Sequence, residues 1–231
     1  MKNSLIVIST FFILVIIYAF SRDATYKLAV LKYNGGGDWY SNPTSLTNLI
    51  KFCNSNISTN INETPDQVHV GSDDIFNYPF LHMTGHGNVI FSADDVVNLK
   101  KYLSNGGFLH IDDNYGMDKF IRRELKKVFP EQKLIELPFS HPIFHQKFDF
   151  PKGLPKIHEH DNKQPKALAL YHNDKIISLY TLESDLGDGW ESDQEHERIT
   201  GKKLHPSKRL EALKMGTNIV INYLTQQYYD K

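Results

Sequence analysis

The sequence predicts an α/β fold, a doubly wound and mostly parallel sheet in a single domain over residues 25–231. Apolar stretches of strand length alternate with segments of helical periodicity, as is typical of parallel α/β layers. The chain has 231 residues, of which 40% are hydrophobic, and this is enough for one large core. Neither an internal repeat nor a linker divides the chain.

An apolar segment precedes this pattern. Residues 5–20 form an almost unbroken apolar run behind Lys2. The run predicts an N-terminal apolar helix within residues 1–21, either a signal peptide or an uncleaved signal anchor. Ala19 and Ser21 are small residues suited to signal cleavage. We therefore expect the domain to be exported to the periplasm or cell envelope, and to be anchored in the membrane if the segment stays uncleaved.

The first helix of the domain follows a glycine-rich loop and begins after Pro43. Its apolar stripe has the i, i+3, i+4, i+7 spacing of a buried face. This stripe consists of Leu46, Leu49, Ile50 and Cys53. Because Cys53 is the single cysteine, an internal disulfide and a cysteine-rich metal site are excluded. Strands are predicted before and after this helix, at residues 26–32, 67–70 and 79–84.

The next helix has clear signals at both ends. Ser92 is its expected N-cap, and Gly106 follows its last turn. A buried strand is then predicted at 107–111, and a further helix runs from Met117 to a stop at Pro130.

The last third of the chain is less regular. A strand is predicted at 133–137, and strands at 167–171 and 176–181 should pair as a hairpin. Residues 191–203 are expected to form a surface excursion. A final helix from about Pro206 should bury Leu210, Leu213, Thr217, Val220 and Leu224, with Gly216 allowing a close approach to the sheet.

Polar clusters follow five of the predicted strands. They are GGGDWY, TGHGN, DDNYG, SHPIFH and ESDLGDGW. Loops that leave the carboxyl ends of parallel strands lie at one edge of a sheet, where ligands bind. Turn formation is an alternative explanation for the Gly, Asp and Asn residues, but it does not account for the aromatic and imidazole side chains. The sequence therefore predicts one shared cleft.

Candidate ligand-binding residues come from these clusters. Trp39 and Tyr40 suit stacking against a sugar ring or a peptide, and Trp190 could form the opposite wall. The full set is Gly37, Asp38, Trp39, Tyr40, Gly85, Asn88, Asn114, Tyr115, His141, Glu183, Asp185 and Trp190.

The candidate catalytic residues are Asp112, Asp113 and His86. A carboxylate at a strand end can act as a nucleophile, a general base or a metal ligand. The alternative is that at least one aspartate caps the following helix. His82 and His110 lie within strands and are expected in the core.

A divalent metal ion is a candidate cofactor. His141 and His145 have i, i+4 spacing, and His158 and His160 share one side if the chain is extended there. Imidazole suits zinc, although no HExxH motif is present and such pairs also occur as ordinary polar contacts.

Nucleic acid is not an expected partner, because the formal net charge is -1. The glycine-rich loop has neither GxGxxG nor GK[ST], so it gives no support for a nucleotide site. The expected partner is a small-molecule, peptide or protein ligand.

Several sequence blocks resemble bacterial envelope proteins of domain-of-unknown-function family 4159. They are KYNGGGDWYSNPTSL, NYPFLHMTGHGN, LSNGGFLHIDDNYGMD, LPFSHPIFH, KIHEHD and YTLESDLGDGWE, spread over about residues 26–227. The resemblance implies a flavodoxin-like fold similar to class I glutamine amidotransferases, and it implies no activity. Those enzymes have a nucleophilic cysteine at a strand end, where this chain has Asp112 and Asp113. Cysteine-based glutamine hydrolysis is therefore not expected.

Two functions remain open at this point. The first is an envelope domain that binds a ligand in the cleft without turnover. The alternative is an envelope hydrolase in which Asp112 or Asp113 works with His86 or His141, with or without a metal ion.

Overall fold

A computed structural model describes residues 26–228 of the chain. The strands are β1 (Leu28–Lys32), β2 (Asp66–His69), β3 (Phe80–Gly85), β4 (Phe108–Asp113), β5 (Ile135–Glu136), β6 (Lys166–His172) and β7 (Lys175–Leu182). In this part of the chain they form one sheet in the order β2-β1-β3-β4-β7-β6-β5. The first five strands in that order are parallel, and β6 is antiparallel to both of its neighbours. The predicted mostly parallel α/β sheet is confirmed.

Helices cover both faces of the sheet. They are α1 (Ser45–Ile57), α2 (Ala93–Ser104), α3 (Asp118–Val128), α4 (Leu186–Trp190), α5 (Asp193–Thr200) and α6 (Pro206–Tyr228). One buried cluster joins the sheet to α1, α4 and α6, and a second joins its other face to α2 and α3. Side chains alternate between these clusters along β1 and β6, as the pleat requires.

The start of α2 agrees with its sequence signals. The hydroxyl of Ser92 accepts a hydrogen bond from the backbone N–H of Asp95 at 3.1 Å. The carboxylate of Asp95 accepts one from the N–H of Ser92 at 2.8 Å, which completes a capping box.

The hairpin of β6 and β7 is also confirmed. Its two turn residues, Asn173 and Asp174, have φ angles of 49° and 61°. Two successive positive φ angles define the type I′ turn that matches the twist of paired strands.

The segment 191–203 lies mostly at the surface, as its charged composition predicts, since nine of its thirteen residues are exposed. It contains α5, with Glu191 and His196 buried. The Glu191 carboxylate accepts hydrogen bonds from the backbone N–H groups of Thr44 and Ser45 at 3.0 and 3.1 Å. This segment therefore caps the start of α1, a contact between distant parts of the chain that composition does not reveal.

Three residues of the predicted stripe of α6 are buried as expected, namely Leu213, Thr217 and Val220. Leu210 is 43% exposed, whereas Ala212, Met215 and Ile219 are buried. A Cβ atom on Gly216 would lie 2.6 Å from Leu49 and 2.7 Å from the ring of Trp190. The approach at Gly216 is close, but α6 packs there on α1 and α4 rather than on the sheet that the sequence predicts.

The predicted N-terminal apolar helix, with the signal peptide or anchor of residues 1–21, lies outside the described residues. Within residues 26–228, no helix combines the length and apolar composition that a membrane crossing requires.

The contact at Gly216 predicts a loss of stability on substitution. Gly216→Ala should lower the free energy of unfolding by about 1–3 kcal/mol, because overpacking outweighs the ~1 kcal/mol gain in helix propensity. Urea denaturation measures the change, and Glu211→Ala on the exposed side of α6 is the control. A Gly216→Ala protein as stable as the control would contradict the packing described here.

Candidate functional site

Four of the five polar clusters meet at the carboxyl edge of the sheet. The side-chain amide of Asn114 donates to Oδ1 of Asn42 at 2.6 Å, and the amide of Asn42 donates to Asp188 at 2.5 Å. The hydroxyl of Thr84 donates to Oδ1 of Asn114 at 3.2 Å. These bonds connect the loops that follow β1, β3, β4 and β7.

Asp112 lies on the face of the sheet that packs against α4. Its carboxylate accepts the backbone N–H groups of Leu186 and Gly187 at 3.2 and 2.6 Å and the hydroxyl of Thr181 at 2.5 Å. Asp112 has no exposed surface, and burial raises its pKa to about 7. The structure does not place Asp112 in the cleft. Its carboxylate instead caps the first turn of α4, which is not the following helix, α3, that the capping alternative names.

Asp113 points to the opposite face. Its carboxylate accepts the N–H groups of Tyr115 and Met117 at 2.9 and 3.1 Å and the hydroxyl of Tyr180 at 3.0 Å. Burial raises its pKa, and these hydrogen bonds oppose the rise. Asp113 thus holds the chain at the entry to α3, and it also borders a cleft.

His86 pairs with Asp38. Its Nδ1 lies 3.0 Å from Oδ2 of Asp38, and its backbone N–H donates to Oδ1 at 2.5 Å. The His86 side chain is 52% exposed, so it is available to a ligand. Its described partners do not include Asp112 or Asp113, so these hydrogen bonds do not assemble the predicted catalytic set.

Three other candidates mainly hold the loops in place. The N–H of Gly37 donates to the carbonyl of Asn88 at 2.9 Å, and the Asn88 amide donates to the carbonyl of Gly35 at 3.0 Å. Gly85 has a φ angle of 143°, which residues with a side chain rarely adopt.

The two aromatic candidates of the first loop lie nearby. Lys32 lies over the ring of Trp39 at 4.8 Å. Tyr40, another candidate, is 65% exposed.

Trp190 is not a wall of the cleft, which corrects the sequence prediction. It is only 1% exposed, and its indole N–H donates to the carbonyl of Ala212 at 2.8 Å. Its ring lies 5.2 Å from His82 and 5.4 Å from His110, between centroids. Both histidines are buried as predicted, and burial lowers the pKa of His82 to about 3.

The fifth polar cluster does not join the other four through hydrogen bonds. Nδ1 of His141 accepts the backbone N–H of Ile143 at 3.2 Å and caps the short 3₁₀-helix Pro142–His145. His145 lies 2.5 Å from Asp149 and 2.8 Å from the carbonyl of Phe139. The predicted ligand role of His141 and metal role of this pair are therefore not supported. Each imidazole is instead used by its own loop.

The other two predicted metal ligands do come together. Nε2 of His160 lies 2.8 Å from Oδ2 of Asp185, and His158, His160 and Asp185 offer ligand atoms within 4.8 Å of one another. Asp185 is 1% exposed. Burial, and then the negative charges of Asp112 and Asp188, raise its pKa to about 9. Among the described residues, this is the group that could hold a metal ion.

A cleft of about 350 Å³ opens beside this group. Tyr115, 46% exposed, lies at its border and stacks on His160 with 4.6 Å between ring centroids. Glu183, also a predicted ligand-binding residue, pairs with Lys156 at 2.9 Å. The lining residues are Asp113, Tyr115, Gly116, Asp118, Lys119, Asp161, Lys163 and Glu183.

The matching family model is the Domain of unknown function (DUF4159), and it covers residues 27–224. This chain belongs to the DUF4159 family. No curated protein matches the chain.

Several residues at this edge of the DUF4159 chain were missed by the sequence analysis. Asn42 and Asp188 connect loops, and His196 places its Nε2 3.1 Å from Nε2 of His158. Asp188 lies in the ESDLGDGW cluster, three residues after Asp185, and this position in the sequence indicates a place at the same edge of the sheet. Asn42 and His196 carry no comparable signal, because their partners are distant in the sequence.

The buried Asp112 carboxyl makes the stability of the DUF4159 chain depend on pH. Its pKa rises from 3.8 to about 7 on folding, so between these values the folded protein keeps a proton that the unfolded chain has lost. The free energy of unfolding should therefore fall as the pH rises through this window. Each unit of pKa difference corresponds to about 1.4 kcal/mol.

Urea denaturation at several pH values, in the presence of EDTA, tests this expectation. Asp112→Asn should give a shallower slope, with a remainder from Asp185, whose pKa is also raised. Asp94→Asn, which changes an exposed residue in the first turn of α2, should keep the wild-type dependence of stability on pH. An unchanged slope in Asp112→Asn would show that this carboxyl does not retain its proton on folding.

Proposed function

We propose that this DUF4159 chain is an exported or membrane-tethered domain that binds a ligand without turnover. Its cleft at the carboxyl edge of the sheet takes a neutral or positively charged polar ligand, such as a sugar or a peptide. The observation that carries the proposal is the lining of the 350 Å³ cleft. It has four carboxylates, two lysines and a half-exposed tyrosine.

The charges of the cleft disfavour an anionic ligand. Asp113, Asp118, Asp161 and Glu183 outnumber Lys119 and Lys163 in the lining. Lys163 is also engaged already, in an ion pair with Asp161. A phosphate or carboxylate entering the cleft would lose water and meet a lining in which carboxylates outnumber ammonium groups. A ligand that donates hydrogen bonds, from hydroxyl or ammonium groups, would be stabilised.

An exposed aromatic ring supplies the apolar part of the proposed recognition. Tyr115 lies at the cleft, and its ring is held in place by stacking on His160. Tyr40 and Trp39 pack edge to face in the loop after β1, with centroids 5.4 Å apart, but they do not line this cleft. Flat rings beside hydrogen-bonding groups suit sugar rings and peptide planes.

The hydrolase alternative has weaker support. Asp112 is fully buried under α4, and His86 is paired with Asp38. The hydrogen bonds of Asp113 hold its own loop. Turnover would need a substrate to reach groups that are engaged elsewhere in the described structure.

We also infer a relationship to flavodoxin-like and glutamine amidotransferase-like folds. Its support is the order β2-β1-β3-β4-β7 of the parallel strands, which matches the 2-1-3-4-5 order of flavodoxin-like sheets. In such sheets ligands bind where the strand order reverses, here between β1 and β3, whereas the proposed cleft lies farther along the same edge, beside the loops that follow β4 and β7. The loops that follow these two strands carry Asp38 and His86.

Thermal unfolding of the full-length protein with matched probes tests the binding proposal. Glucosamine and trilysine should raise the melting temperature by several degrees, since a ligand that binds only the folded state stabilises it. Glucose 6-phosphate and triglutamate should not. Tyr115→Ala should reduce the shift, whereas Phe76→Ala, an exposed ring beside Tyr102, should not. Stronger shifts with the anionic probes, or none with the first pair, would overturn the proposal.

Export is supported by the apolar run at residues 5–20. Alkaline phosphatase fused to the C-terminus of the full chain should be active in a bacterial host, because the enzyme requires export. Ile13→Arg with Val15→Arg should reduce that activity at least about tenfold, since each charge costs ~2.5–3.5 kcal/mol in an inserted helix. Ile199→Arg, on the exposed surface of α5, is the control. Full activity in the double variant would refute export through this run.

A further inference from the structure

We propose that His158, His160 and Asp185 form a binding site for a divalent transition-metal ion of the zinc class. This site is distinct from the ligand cleft, because none of the three residues lines the cleft. The inference therefore does not depend on which ligand the cleft takes.

The spacing of the three side chains suits a metal ion. Zinc binds imidazole nitrogen at ~2.0–2.1 Å and carboxylate oxygen at ~2.0–2.2 Å, so two tetrahedral ligands lie about 3.3 Å apart. Nε2 of His160 and Oδ2 of Asp185 are 2.8 Å apart, and the ligand atoms of all three residues lie within 4.8 Å of one another. An ion could be accommodated by small side-chain movements.

An unsatisfied oxygen gives an independent reason for a cation. Oδ1 of Asp185 is buried and has no hydrogen-bond partner among the described residues. A buried carboxylate oxygen without a donor is costly. By contrast, both oxygens of Asp112 accept hydrogen bonds. A metal ion beside Asp185 would supply the missing positive charge.

The surrounding charges point the same way. Oδ2 of Asp188 lies 2.9 Å from Nδ1 of His158, so a second carboxylate stands next to the group. The nearby Lys156 is already paired with Glu183 at 2.9 Å, so its positive charge is not free to pair with Asp185.

The ligand types indicate which metal is expected. Two imidazoles and one carboxylate favour zinc or a similar late first-row ion, whereas Ca²⁺ and Mg²⁺ prefer oxygen ligands throughout. Three protein ligands leave one position of a tetrahedral ion for water or another ligand. Tyr115 stacks on His160 and also lines the cleft, so the ion would be a neighbour of the proposed ligand.

The test uses full-length protein without an oligohistidine tag, stripped with EDTA and then titrated with Zn²⁺. Calorimetry and elemental analysis after dialysis should give one zinc ion per chain, and excess Mg²⁺ should not displace it. Co²⁺ should produce the visible absorption of a tetrahedral site. Absence of zinc binding in the wild-type protein, or displacement by Mg²⁺, would overturn the proposal.

Two variants locate the ion. His160→Ala changes an exposed residue, and Asp185→Asn preserves the shape of the side chain, so both are expected to fold. Mutating a residue that only hydrogen-bonds to a metal ligand typically weakens metal affinity by about 10–100-fold. Loss of a ligand itself should therefore weaken zinc binding by at least about 100-fold. His145→Ala is the matched control, because His145 also pairs with a carboxylate, Asp149.

The two variants and the control can each contradict the assignment. Wild-type zinc affinity in His160→Ala or Asp185→Asn would remove those residues from the site. An equal loss in His145→Ala would place the ion elsewhere. Failure of the sugar and peptide probes would leave these zinc measurements unaffected, so the two proposals can fail separately.

Discussion

Buried carboxylates that accept backbone N–H groups hold the carboxyl edge of this sheet together. Asp112 caps α4, Asp113 holds the entry to α3, and Glu191 caps α1. Asp112 and Glu191 satisfy donors that a helix start would otherwise leave unpaired, and Asp113 satisfies donors of the loop that leads into α3. In two of the three cases the partners are more than seventy residues apart in the sequence. The loops are therefore fixed by tertiary contacts, and the positions of the exposed side chains follow from them.

The same interaction explains why the two adjacent aspartates of β4 do different things. Successive residues of a strand point to opposite faces, so Asp112 meets α4 and Asp113 meets the chain before α3. Both are engaged by backbone donors, yet only Asp113 also borders the cleft. A pair of carboxylates that resembles catalytic machinery in the sequence is mainly structural at this edge, with one member shared by the cleft.

The sequence predicts the fold well because its signals are local. The capping box at Ser92, the stripe of α1 and the hairpin turn each depend on residues a few positions apart. The site was predicted only in part, since polar residues after strands do gather at one edge, but their roles depend on distant partners. Trp190 illustrates the limit: its place beneath the sheet results from α6 approaching at Gly216, and no local pattern distinguishes it from an exposed ring.

Satisfaction of hydrogen bonds distinguishes Asp185 from the other buried carboxylates at this edge. Asp112, Asp113 and Glu191 are buried and accept several donors each, so they need no further partner. Asp185 is as deeply buried, but one of its oxygens has no donor in the described structure, and its other oxygen faces an imidazole. Burying a carboxylate in this way is unfavourable unless a positive charge offsets the cost. Two histidines beside that carboxylate are the ligands that a transition-metal ion would require, so the exception among the buried carboxylates is where a cofactor has physical reason to bind.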